Sequence, residues 1–242
     1  MRRSWLGAAA RILALAWAAP AAAQENATEF WPEVDAWWRL TPAWRLSLFV
    51  PISKNLDTHY REGNLIAQGD YAWGQPQGVR TRRLADENRA RSMRTFMIRG
   101  GYLGGRSLGD QGEEYTERTM LGEFHLRIPL KGNLLLSHRV RTDLRWLGDA
   151  NAAYSTRVRY RFMVERELMV RGVSLVPFGN VEPYYDSRYD TANRIRVIGG
   201  TSIAWRPRFA IETNWTYQHD TRSSVTHLNA LNAILHLYFG SH

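Results

Sequence analysis

The sequence predicts an all-β protein: an antiparallel transmembrane β-barrel of about 10 strands, or 12 with extra short strands, whose lumen is filled by arginine and carboxylate side chains. Three observations carry that expectation. Apolar and polar residues alternate with period two over most of residues 30–239, the signature of strands rather than helices. Several alternating segments run to 12–14 residues, whereas ordinary soluble strands average about 5 to 6, and such lengths cross a bilayer when tilted. Tight turns alternate with longer polar connections, as in outer-membrane barrels.

Residues 1–24 read as a secretory signal peptide. Arg2 and Arg3 form a positive start, Leu6 to Trp17 an apolar stretch broken by Arg11, and "APAAAQ" a small-residue exit that places cleavage between Ala23 and Gln24. Residues 25–242 then form one barrel domain. Its ten expected strands are Phe30–Arg39, Trp44–Ser53, Arg94–Leu103, Thr116–Pro129, Asn133–Trp146, Tyr154–Glu167, Val173–Tyr185, Asn193–Trp205, Phe209–His219 and Thr226–Phe239. From residue 116 onward the tight turns are "LKGN", "VRGV" and "WRPR", rich in glycine or proline. The longer connections are "GDANAA", "DSRYDT" and "HDTRSSV".

The front of the chain breaks this rhythm. "LTPAW" (40–44) is tight, and a long polar stretch runs over 54–92. With ten strands the tight turn falls at the end of the long loops, and two more strands near 64–74 leave that parity unchanged. The charged run 80–94 reads as a solvated connection or a short helix.

Within each strand the alternation separates two faces. Val158, Tyr160, Phe162 and Val164 oppose Arg157, Arg159, Arg161 and Glu165. On the preceding strand Val140, Thr142, Leu144 and Trp146 oppose Arg139, Arg141, Asp143 and Arg145. Phe124, Leu126 and Ile128 oppose Glu123, His125 and Arg127, while Ile195 and Val197 oppose Arg194 and Arg196. An arginine facing lipid near the midplane costs roughly 2–4 kcal/mol, so the charged faces are expected to point inward. Buried charges need partners, and the same parity supplies Glu33, Asp35, Glu182 and Glu212, together with Arg99. Asn180, Glu182 and Tyr184 project the same way, either orienting the arginines or forming a small polar site. Trp31, Trp37, Trp38, Trp44, Trp146, Trp205, Trp215, Tyr217 and Tyr238 lie near strand ends, where an aromatic girdle is expected.

Composition narrows the partners. The chain has no cysteine, hence no disulfide framework or thiolate metal site. The formal charge is +9, and loss of Arg2, Arg3 and Arg11 with the leader leaves 29 basic against 23 acidic residues. Lys54 and Lys131 are the only lysines. An exported, lysine-poor chain is not expected to bind nucleic acid. The expected partners are outer-membrane lipid and the barrel-assembly machinery, with the ligand open.

The stretches "EFWPEVDAWWRLTPAWRLSLF", "STRVRYRF", "FGNVEPYYD" and "NRIRVIGGTSIAWRPRFAIETNWTYQ" resemble a family of bacterial outer-membrane proteins, the domain of unknown function 2490. The likeness spans the chain after its leader and is clearest over 114–239. The resemblance implies a barrel in the bacterial outer membrane; it brings no established activity, cofactor or catalytic residue. "AILHLYF" is similar to the final strand that barrel-assembly machinery reads, although Gly240, Ser241 and His242 follow Phe239.

Catalytic chemistry finds little support. Ser137 and His138 are adjacent on a strand and face opposite ways, so they form no nucleophile–base pair. His219 and Asp220, with Asp186 and Asp190 in a neighbouring loop, loosely resemble the histidine and aspartate set of outer-membrane proteases. His125 and His236 read as members of the interior network rather than metal ligands. No catalytic, cofactor or metal site is assigned. Three functional readings stay open: a closed structural or interaction barrel, a narrow anion-preferring pore, and a membrane hydrolase or protease. A soluble β-sandwich or lipocalin-like barrel is the alternative fold.

Overall fold

The computed structural model describes residues 25–58, 60–76, 94–109, 115–148, 153–206, 208–223 and 225–240. The expected leader at 1–24 and nearly all of the charged run 80–94 lie outside the described residues. The described chain is strand after strand, with no helix among the described residues. The strands are β1 (Glu25–Arg39), β2 (Trp44–Asn55), β3 (Arg61–Pro76), β4 (Arg94–Ser107), β5 (Thr116–Leu130), β6 (Leu134–Leu147) and β7 (Ala153–Arg166). They continue with β8 (Leu168–Val170), β9 (Val173–Asp186), β10 (Thr191–Arg206), β11 (Phe209–Asp220) and β12 (Val225–Gly240).

Eleven of these close into a ring. Each pairs antiparallel with the next, β7 passes directly to β9, and β12 returns to β1. The three-residue β8 prolongs β7 along the same edge of β9 and lies outside the ring. Both sequence expectations for the strand number therefore need correction, as does a purely antiparallel ladder. All ten expected strands are present, and the addition is β3, a single long strand through "NLIAQGDYAW" rather than two short ones. Its alternation is diluted by Gly63, Gly69 and Ala67, so its face was hard to read from composition.

One extra strand reverses the parity of everything before it. The tight turns 40–43, 131–133 and 171–172 now share one end of the barrel, the turn end, where β10 and β12 also finish. Connections 56–60, 108–115, 148–152, 187–190 and 221–224 share the other, the loop end, where β1 begins. An odd ring also makes its first and last strands run the same way, so closure is parallel, from Asn26↔His227 through to Arg39↔Gly240. The two-residue turn after β8 takes positive φ at Arg171 (50°) and Gly172 (80°). That hand matches the twist of the flanking strands.

The two faces follow the alternation. Val34, Leu46, Val50, Ile98, Met120, Phe124, Val140, Val158, Tyr160, Phe162, Ile195, Leu231 and Leu235 are exposed on the outside. Outer aromatic rings chain together from Trp44 through Tyr71, Trp73 and Phe96 to Phe124, and Trp38 stacks on Phe239. Toward the loop end the outer rings include Trp146 beside Tyr154 and Trp215 beside Tyr217. Three expected girdle members point inward instead: Trp37 and Tyr238 are buried, and Trp31 lies under the Arg196 guanidinium. The Trp205 side chain lies outside the described set.

Candidate functional site

A ring of eleven strands tilted like those of known barrels has a backbone radius of about 11 Å. Long inward side chains from opposite walls therefore meet. At the turn end many of the buried residues are apolar: Trp37, Phe49, Ala204, Ala210 and Tyr238 form one cluster with Ile66, and Met163, Val176 and Phe178 are also buried there. Charge dominates from mid-barrel to the loop end.

The charged centre is built around Glu123 on β5. Its carboxylate accepts from Arg99 (3.3 Å), Arg139 (3.4 Å) and Arg141 (3.2 Å), and lies 2.8 Å from His125 Nε2. The network runs outward from there along neighbouring strands. Arg99 forks onto Asp70 at 2.5 and 3.1 Å, and Asp70 also accepts from Arg45. Arg141 donates to Asp143 Oδ1 and Arg159 to Asp143 Oδ2, each at 2.6 Å. Arg139 reaches past β7 to Glu182 on β9, which also accepts from Tyr184 Oη. Arg145 grips Glu117 with two nitrogens at 2.8 and 3.1 Å. Planar guanidinium forks suit this linking because one arginine can satisfy two carboxylates.

Four guanidiniums, those of Arg157, Arg159, Arg194 and Arg196, lie 5.3–6.0 Å from the ring centroid of Tyr184. Among the described residues, Arg157 comes no nearer to a carboxylate than 3.9 Å, at Asp186. Arg194 pairs with Asp220 at 2.6 Å, helped by a bulge at Ala192–Arg194 that turns both Asn193 and Arg194 inward. Among the described residues, Arg196 hydrogen-bonds only a neutral acceptor, Gln218 Oε1, at 2.7 Å. Separately, His236 lies 3.1 Å from Asp35 and 3.5 Å from Glu212, with Glu33 on the same face.

The remaining expected positions also lie on the inner face. Arg127 is buried against Met97 Sδ at 3.1 Å. Asn180 is buried, with neither amide atom hydrogen-bonded among the described residues. Glu165 is buried and Arg161 half-buried on the inner face. At the loop-end rim, outside the strands, burial and the neighbouring Glu117 carboxylate push the Tyr115 hydroxyl pKa up. Hydrogen bonds to Asp186 raise that of Arg188.

The sequence reading missed Arg45, Asp70, Glu117, Asp186 and Asp220 as network members. Asp70 sits on β3, which the ten-strand reading omits and the twelve-strand alternative places only as short strands near 64–74, although Leu65, Tyr71 and Trp73 opposing Asn64, Gln68 and Asp70 carry the period-two signal. Glu117, Asp186 and Asp220 lie at strand ends, where loop residues and inward residues look alike. The loose protease likeness is not assembled: Asp220 is buried inside, whereas the His219 ring packs beside His227, 4.8 Å away, from the opposite face.

Fold and interior together define a closed β-barrel whose interior is cross-linked by ion pairs. Among solved structures, this chain is similar to the β domain of the Bordetella autotransporter Brka, with a TM-score of 0.50 at 10% identity over 84% of this chain and 86% of that one. That likeness is one of fold. No family model matches the chain, and no curated protein does.

Proposed function

We propose that the chain is an integral barrel of the bacterial outer membrane, closed through its middle by arginine–carboxylate pairs, with a structural or interaction role. Its place is among the uncharacterised outer-membrane family whose sequence patterns it resembles. The single observation that carries this reading is the outer face. Along the central stretches of the strands, no Asp, Glu, Lys or Arg projects outward among the described residues; outward charges such as Lys54, Arg61, Arg106, Arg118 and Arg166 sit near the ends. A soluble protein does not leave such a continuous apolar surface open, whereas a barrel in lipid requires it. The fold likeness to an autotransporter β domain is consistent with this location.

The closed-barrel reading rests on contacts that cross the interior. Arg99 on β4 and Arg196 on β10 each reach a tryptophan on β1, Trp37 at 5.5 Å and Trp31 at 5.3 Å. Insertion goes through the barrel-assembly machinery, and no cofactor takes part. The test has two parts. Fractionation should recover the protein with outer membranes and show heat-modifiable migration; recovery as a soluble periplasmic monomer would overturn the membrane assignment. Planar-bilayer recordings should show no stable steps; anion-selective steps would replace the closed barrel by a pore.

A further inference from the structure

A cavity of about 170 Å³ opens into the barrel interior at the loop end. It lies against the arc from β10 through the β12–β1 seam to β3, beside rather than within the ion-pair network around Glu123. Its walls carry opposite charges. Glu29 and Glu62 stand on the β1–β3 side, and Arg194 and Arg196 on the β10 side.

No hydrogen bond or ion pair joins the two walls among the described residues. Glu29 accepts from Trp31 Nε1 at 2.5 Å and Glu62 from Tyr60 Oη at 3.3 Å. Neither hydrogen-bonds an arginine among the described residues. Arg194 and Arg196 each spend Nε and Nη2 on acceptors behind them, Asp220 and Gln218. That leaves each Nη1 without a hydrogen bond among the described residues. Trp31 explains why the charges stay apart: its indole nitrogen holds Glu29 while Arg196 rests 5.3 Å above its ring. The indole is a spacer between an acid and a base that would otherwise close on each other.

A cavity with an acidic wall, a basic wall and an aromatic floor is complementary to a molecule carrying both charges. The volume holds roughly six waters, which matches a ligand the size of a small amino acid. We propose that this cavity binds small zwitterions of the free α-amino-acid class, the ammonium toward Glu29 and Glu62 and the carboxylate toward Arg194 and Arg196. A singly charged molecule satisfies one wall and leaves the other as it was. Charge-assisted hydrogen bonds on both sides make the pair of charges the recognised feature.

The test is isothermal titration calorimetry on the full barrel folded in detergent micelles, with L-serine, N-acetyl-L-serine and L-serine methyl ester as probes. The last two remove the positive and the negative charge in turn. Serine should bind, and each analogue should bind roughly 10- to 100-fold more weakly, the loss of one charge-assisted hydrogen-bonded contact. Glu62→Gln should bring serine binding down toward that of N-acetylserine, whose own binding stays unchanged; Arg196→Met should bring it down toward that of the methyl ester, whose own binding stays unchanged. The probe panel uses the unaltered protein, so the result does not depend on either variant folding. No binding of serine, or equal binding of serine and either analogue, would overturn the proposal. So would serine binding that both variants leave intact.

Discussion

Replacing Glu123 by glutamine removes one negative charge from the point where three arginines and a histidine converge. The carboxylate is fully buried, and its arginine contacts of 3.2–3.4 Å are longer than the about 2.7–2.9 Å of an ideal charge-assisted bond. At an effective dielectric of about 20, each contributes roughly 5 kcal/mol of gross attraction. Most of that offsets the cost of desolvating the charges, so the net loss is set by three arginines that share one carboxylate fewer, each keeping its other partner: Asp70 for Arg99, Glu182 for Arg139 and Asp143 for Arg141. Breaking a buried pair from one side costs about 3–5 kcal/mol. Glutamine keeps an acceptor oxygen, which places Glu123→Gln near 3 kcal/mol within that range. Urea unfolding of the refolded barrel in lipid vesicles reads this directly. Adding Arg141→Met to the variant should recover part of the loss, because one excess cation disappears with its desolvation cost while Asp143 keeps Arg159 as its partner. A Glu123→Gln barrel as stable as the parent to within about 0.5 kcal/mol would refute the claim that the network supports the fold.

Other outcomes follow from the same geometry. Phe124→Arg places a cation on the outer face at mid-strand and should lower stability in lipid by about 2–4 kcal/mol, whereas Phe124→Leu should cost about 1 kcal/mol or less; equal effects in the vesicle assay would contradict the outward assignment. The chain lacks cysteine, so paired replacements report the seam: Ala36→Cys with Leu237→Cys, and separately Thr28→Cys with Asn229→Cys, should each cross-link on oxidation. The mismatched pair Thr28→Cys with Leu237→Cys should not, and the reverse pattern on non-reducing gels would disprove parallel closure. Arg171→Asn should stabilise the β8–β9 turn by about 1 kcal/mol, since asparagine tolerates the left-handed conformation that arginine holds there at φ 50°; an unchanged or lowered unfolding midpoint would argue against that turn geometry.

Much of the architecture is written in the residue pattern because side-chain parity is a local property. Arg157, Arg159 and Arg161 could be assigned a common face from their spacing alone, and Val158, Tyr160 and Phe162 the other. The pairing partners are a different matter. That Arg139 skips a strand to reach Glu182, or that Arg99 turns toward Asp70, depends on register and strand stagger, which no single strand records. The ring count failed at β3 because glycines and Ala67 flatten the hydrophobic contrast by which a strand is recognised. Trp31 and Trp37 were misassigned for a related reason. Tryptophan serves equally on a lipid-facing surface and as a partner for guanidinium, so its identity does not fix its side. Glu29 and Glu62 lay outside every expected strand, and the cavity they help to line was therefore invisible.

Closure of the ring has a kinetic side. Ten of the eleven junctions join strands that are neighbours along the chain, apart from the small interruption at β8, and those hairpins can form as they emerge. The eleventh joins residues about two hundred positions apart, Asn26 with His227 and onward. Loop-closure entropy makes such a contact late, so β1 and β12 remain open edges, each able to pair wrongly, until the end of folding. Parallel pairing is also slightly weaker per residue than antiparallel. The seam is thus the last junction to form and the first to part. A ligand held between Glu62 on β3 and Arg196 on β10 would bridge that junction from inside, slowing its opening without touching a single backbone hydrogen bond.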